Sequence, residues 1–373
     1  MNVNEERTTP LPLDPNPAPL AEQASNDQHL MLTGRAQTTG SNNCFICGAF
    51  IPTGHPDRTR EHVFPQWLLR SAGLQSANLV SSNAQLITYY RLTVPCCRTC
   101  NGVDFSGIEQ RAKAAFENGL EGVQSLSRRD LFLWLGKLYY GVLFLESLRR
   151  IDVRDPDSAP LVSEVQLRRN KFHHFLLQAA AGVVHWPDST GGPASFLFVD
   201  CQIDEDTPEH NFDYCDSMLA PVTALRVGRV GILAVLQDWG TMETIHEKRL
   251  VAARLTALHP TQFREVFAMV EYLAVETAVT RRPSLLVGGT HGATVIPVPV
   301  ASPNGGSVNV RDFARFLAKA LFTTVENLFT EGSILTFTVD DSGDAVNAPW
   351  PGAFFSGLDG QPLWPSAGQV QGQ

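Results

Sequence analysis

An α+β architecture is what this sequence predicts: a small cysteine-clamped unit of two strands and a helix, then a larger mixed α+β domain. Three observations lead there. Two Cys-x-x-Cys pairs, Cys44/Cys47 and Cys97/Cys100, stand with 49 residues between them. Short runs rich in β-branched and aromatic residues are interspersed with stretches of helical apolar spacing, with no internal repeat. At 373 residues, with 43% hydrophobic and 18% charged, the chain is long for one domain and able to bury a core.

Residues 1–40 are polar and proline-rich and are expected to be disordered. The cysteine-bracketed unit spans 41–120. Thr59 to Phe64 reads as a strand or extended loop, because Pro65 disfavours helix at Phe64. Gln66 to Ala72 is a helical turn or two, and Leu86 to Val94 a strand. Helical spacing resumes after Asn101 through Val103, Ile108, Ala112, Ala115 and Phe116.

The larger domain, 127–347, opens with a helix from its Ser127 cap to about Arg150. Leu161 to Ala181 reads as a second helix. Strands follow at Ser195–Ile203 and Val222–Leu236, the latter with a hairpin or bulge at Gly228 and Gly231. Helices are expected at Pro260–Thr280 and Val310–Leu328, and a strand at Ile334–Val339. Residues 348–373 are Pro/Gly-rich and expected to be loose. Leu131–Leu145 is almost continuously apolar, yet it is short of the roughly 20 residues of a membrane span and carries Lys137 in its middle. A buried core helix is the reading, with no membrane partner.

A net charge of −9 excludes a chain that coats nucleic acid along its whole length. From Ser41 to Phe116, however, seven Lys/Arg face four Asp/Glu, a mildly basic stretch in an acidic chain. The cysteines are clustered, Cys201 and Cys215 stand apart, and no signal peptide precedes them. Reduced thiols and a cytoplasmic location are expected.

Each Cys-x-x-Cys supplies two thiolates from a tight knuckle, so two pairs can complete one tetrahedral structural Zn2+ site. Cys97 keeps the spacing to Cys100, which leaves Cys96 to pack in the core. Between the pairs lies Arg60-Glu61-His62-Val63-Phe64-Pro65. Histidine titrates near working pH and suits a general base, and metal-assisted hydrolysis needs an acidic residue close by to hold a hard cation. Adjacent residues on a strand point to opposite faces, so Glu61 and His62 share one site only where the backbone is distorted.

In order and spacing, Cys44-x-x-Cys47, Arg60-Glu61-His62-Val63-Phe64-Pro65 and Cys97-x-x-Cys100-Asn101 resemble the HNH endonucleases with an accessory zinc knuckle, over roughly a fifth of the chain. The resemblance implies a ββα-metal fold around one catalytic Mg2+ or Mn2+. It makes His62 the general base and Glu61 a ligand of the cation. Asn101 replaces the family's final histidine as ligand or near-ligand, and Asn83 is the candidate to orient the base, although no asparagine stands just before the second knuckle. The implied activity is metal-dependent hydrolysis of phosphodiester bonds in nucleic acid, DNA favoured, and bacterial proteins of this layout resemble defence or mobile-element nucleases.

Arg60, Arg91 and Arg98 are the expected phosphate contacts. Trp67 and Tyr89-Tyr90 are able to stack on bases, though core packing is expected of Trp67. Two other readings compete. A noncatalytic zinc module that binds nucleic acid or a partner protein keeps the cysteines and needs neither Glu61 nor His62. A structural interaction protein leaves both idle. His173-His174 reads as packing or surface, Asp340–Asp344 as a turn, and Gly288–Gly292 as a hairpin turn.

Overall fold

The computed structural model describes residues 40–340, apart from 81, 82, 84, 207, 278–283, 290, 291, 299–307, 331, 332 and 339. Both expected tails, nearly all of the Asp340–Asp344 turn and the tip of the Gly288–Gly292 turn lie outside the described residues.

The cysteine unit comprises β1 (Arg58–His62), α1 (Gln66–Ser71), a hairpin of β2 (Asn78–Val80) and β3 (Leu86–Thr88), and β4 (Thr93–Cys97). β4 runs antiparallel to β1, with Arg58 opposite Cys97 and His62 opposite Thr93. The single strand expected over Leu86–Val94 is thus two strands. A 3-10 turn at Tyr89–Arg91 intervenes, and there the chain changes partner from β2 to β1. A wide turn at Cys100–Asp104, closed by Phe105 N–H donating to the Cys100 carbonyl at 3.2 Å, leads into α2 (Ser106–Glu117) and α3 (Gly119–Gln124).

The Ser127 side chain accepts from Asp130 N–H and starts α4 (Arg128–Ser147) as expected. Its apolar run is buried nearly all round, Lys137 included. Among the described residues no helix is long and apolar enough to cross a membrane. The helix expected over Leu161–Ala181 is divided into α5 (Glu164–Arg169), α6 (Lys171–Leu177) and a 3-10 turn at Gln178–Ala181. It breaks at Asn170, whose side chain donates to the Gln166 carbonyl and accepts from Tyr139 of α4. The short β5 (Val184–His185) follows.

Next come β6 (Ala194–Asp200), β7 (Phe212–Asp216), β8 (Val222–Val227) and β9 (Val230–Leu236), an antiparallel sheet in the order β6-β9-β8-β7. Gly228, at φ +58, turns the β8–β9 hairpin. β7 is a strand that sequence pattern did not mark. Helices α7 (Thr241–Ile245), α8 (Glu247–Ala252) and α9 (Pro260–Glu276) precede the hairpin β10 (Ser284–Gly289)–β11 (Gly292–Pro297), whose second strand pairs with β5. α10 (Val310–Ala320) ends well before Leu328. A two-residue pair, β12 (Phe329–Thr330) and β13 (Ser333–Ile334), keeps only Ile334 of the strand expected there.

Alternate residues of the four-stranded sheet feed two hydrophobic clusters. One joins Phe196 and Ile232 to Phe132, Trp134 and Phe144 of α4 and to Phe45, Phe64 and Leu68 of the cysteine unit. The other joins Leu197 and Leu233 to Phe263 and Phe267 of α9 and Phe313 of α10. At Gly231 a Cβ would lie 2.6 Å from Val199 Cγ2 and 3.0 Å from Phe263, so α9 reaches the sheet because β9 is bare there. The first cluster spans the division expected near residue 120. α4 serves both sides of it.

Candidate metal centre and the face of β1

The first knuckle is closed by Cys44 N–H donating to Ala49 and Gly48 N–H donating to Cys44, at 2.9 and 2.8 Å. Gly48 sits at φ +68, where a side chain would be strained. Phe45 N–H donates to the Pro95 carbonyl at 2.9 Å and ties this knuckle to β4. The second knuckle links Cys97, at the end of β4, to Cys100, whose N–H points at Cys97 Sγ from 3.5 Å. The sulfurs of Cys44, Cys47, Cys97 and Cys100 all lie within 4.8 Å of one another, with Cys47 and Cys97 3.7 Å apart. A tetrahedral site with Zn–S bonds of about 2.3 Å separates its sulfurs by about 3.8 Å. These four residues could hold a metal such as zinc. Cys96 is buried beside them, its sulfur 3.9 Å from that of Cys44, and belongs to the core.

The knuckle also rests on α6 and the turn after it. His174 Nε2 lies 3.1 Å from the Phe45 carbonyl, and Gln178 donates to Ile46 at 2.7 Å. His173 Nε2 lies 3.0 Å from the Gly136 carbonyl of α4. The His173-His174 pair is a packing element, and burial lowers both rings to about 4.

Along β1 the side chains alternate. Thr59 and Glu61 share one face, Arg60 and His62 the other. Glu61 is buried, its Oε1 2.5 Å from Lys137 Nζ of α4. Glu109 of α2 brings a second carboxylate to the same ammonium, and the Phe105 ring centre lies 5.5 Å from Nζ. Burial acts to lower the Lys137 pKa, but the two carboxylates outweigh it and hold the amine above its ordinary value. Burial raises Glu61, with Lys137 opposing. Asn101 donates to Thr59 Oγ1 at 3.1 Å, and Thr59 in turn donates to the Cys96 carbonyl at 2.8 Å. Glu61 and Asn101 therefore do not fit as a pair of Mg2+ or Mn2+ ligands. One meets an ammonium, and the other pins the wide turn to β1.

His62 is half-buried on the opposite face. Its ring centre lies 4.9 Å from that of Tyr90, and Gln66 Nε2 lies 3.4 Å from its Nδ1. Burial first, and the Arg60 charge second, lower its pKa, with the Glu109 carboxylate acting the other way. Asn83 does not orient this ring. Its amide donates to the Arg150 carbonyl, 2.8 Å away, in the segment just after α4. Gln66 stands there instead, because α1 starts directly after Pro65 and turns its first residue back over the end of β1.

Arg60 is exposed and donates through Nε and Nη2 to Thr93 Oγ1 at 2.9 and 2.6 Å. Arg91 is exposed, directly after Tyr90. Arg98 donates to the Pro56 carbonyl at 3.1 Å, at the other end of the β1–β4 pair, so the three arginines do not form one cluster. Trp67 packs against Trp134 and Phe116, and Tyr89 against Phe64 and Phe212, which leaves Tyr90 as the aromatic beside His62.

Sequence reasoning missed Glu109, Lys137 and Gln66 as members of these surroundings. Lys137 carried a usable signal, since a lysine inside an apolar helix needs buried counter-charges. Compared with known proteins, the chain matches no family model, no curated protein and no solved structure.

Proposed function

We propose that the chain hydrolyses phosphodiester bonds in nucleic acid, DNA favoured, in the manner of an HNH endonuclease, with His62 as general base. The observation that carries this reading is a half-buried His62 held toward its neutral form beside the exposed Arg60, on one face of β1. A neutral imidazole can take a proton from water, and Arg60 can meet a phosphate oxygen next to it. The Gln66 amide nitrogen lies 3.4 Å from His62 Nδ1 while its Oε1 accepts from Arg70 at 3.5 Å, a contact that fixes the ring on this face. The succession β1, β4, α2 beside four clustered cysteines that could hold a metal supports this reading. Glu61 and Asn101 are engaged by Lys137 and Thr59.

A second reading, a noncatalytic zinc module that binds nucleic acid or a partner protein, is favoured by the Glu61–Lys137 ion pair, which gives the acidic residue a structural role. Supercoiled plasmid and single-stranded RNA, each incubated with Mg2+, with Mn2+ and without either, separate the two. The nuclease reading expects cleavage by the wild type and a loss of at least about 100-fold in His62→Ala at unchanged zinc content. Equal cleavage by both proteins removes His62 as base. No cleavage of any substrate, with nucleic acid still retained in a gel-shift assay, favours the binding module.

A further inference from the structure

The ion expected at Glu61 has a counterpart already built into the chain. Glu61 from β1 and Glu109 from the first turn of α2 converge on one point, and Lys137 Nζ occupies it. The ammonium has 3% of its side chain exposed and lies over the Phe105 ring as well, so it is caged from three elements. Two carboxylates brought together in a largely buried place repel each other unless a cation stands between them. α4 delivers that cation from the middle of an otherwise apolar run. The Glu109 side chain keeps 25% exposure, so an ion from solvent has an approach to the pair.

We propose that Lys137 is the resident cation of this carboxylate pair, a tethered ammonium in the place where a divalent ion was expected, and that the folded protein takes up no Mg2+ or Mn2+ there. The inference rests on the convergence of β1, α2 and α4 and not on His62 being a base. Cleavage therefore bears on the function proposed above, and metal response bears on this one.

The test uses the full-length, zinc-loaded protein with Mn2+ alone as probe. Thermal unfolding of the wild type is expected to be indifferent to millimolar Mn2+. Lys137→Met, which keeps length and removes charge, is expected to unfold at lower temperature and to recover by about 5 °C when Mn2+ fills the vacated place. That recovery is expected to vanish in K137M/E109Q. A wild-type protein stabilised by Mn2+ in a way that E109Q abolishes would overturn the proposal, because the lysine then yields to the ion. A folded Lys137→Met protein that ignores Mn2+ would overturn it too, the pair then not being a cation site. Should Lys137→Met not fold in either buffer, Mn2+ binding by electron paramagnetic resonance on the wild type and E109Q decides. Binding that E109Q abolishes overturns the proposal, and an identical free-ion signal from both supports it.

Discussion

His174 shows how far a single side chain is committed here. It is fully buried, its Nε2 rests on the knuckle carbonyl of Phe45, and burial holds the ring neutral with a pKa of about 4. The folded value lies below the ordinary 6.5, so the unfolded chain takes the proton first. The ring's contribution to stability is then complete above about pH 6.5 and is lost as pH falls toward 4. Gln cannot titrate. The destabilisation caused by His174→Gln, read from urea unfolding, should shrink by roughly 2 kcal/mol between pH 7 and pH 4.5. A gap that stays constant with pH would show that His174 is not buried neutral. Asp216 and Glu265, both raised to about 7 by burial, act with the opposite sign, but equally in both proteins. Lys137 is the converse case. Its removal leaves two carboxylates facing each other, a loss of about 3–5 kcal/mol by the usual cost of breaking a buried ion pair. The alternation that separates Glu61 from His62 was legible in the sequence, since it follows from strand geometry alone. The partner that claims Glu61 was not, because it lies 76 residues away.

The cysteine knuckle is the element whose local chemistry decides most. Its turns, its sulfurs and two of its carbonyls are all engaged, the last by His174 and Gln178. Cys44→Ser should reduce bound zinc, measured after denaturation, from about one equivalent per chain to nearly none and lower the unfolding temperature. Unchanged zinc content would rule out these four residues as the ligands. Among the other elements, α4 was legible because a Ser cap and a long apolar run interrupted only by Lys137 both mark it. The break between α5 and α6 was not. Asn170 leaves the helix in order to meet Tyr139, a contact with no local signature. β7 escaped notice for a related reason: Phe-Asp-Tyr-Cys-Asp is a strand because β8 lies beside it, and its Asp213 is tolerated because Arg264 of α9 pairs with it.

At the scale of the whole molecule, α4 makes the cysteine unit and the sheet parts of one core. Residues 41–124 alone would lack Lys137 and the wall formed by Phe132, Trp134 and Phe144. With zinc present, this fragment should give no cooperative thermal transition by circular dichroism, whereas the full chain should give one that includes the knuckle. A fragment that melts cooperatively would restore the independent domain that sequence composition suggested. The sequence by itself determined the pairing of the four cysteines, the α+β class and a Leu131–Leu145 run too short for a membrane-spanning helix, because spacing, cap and run length are local properties. Tertiary structure alone decided that Glu61 faces an ammonium, that Asn101 pins a turn, that Gln66 rather than Asn83 meets His62, and that α4 packs with the cysteine unit and the sheet in one cluster. Each of those depends on which surfaces are buried together, and burial is settled only when distant segments meet.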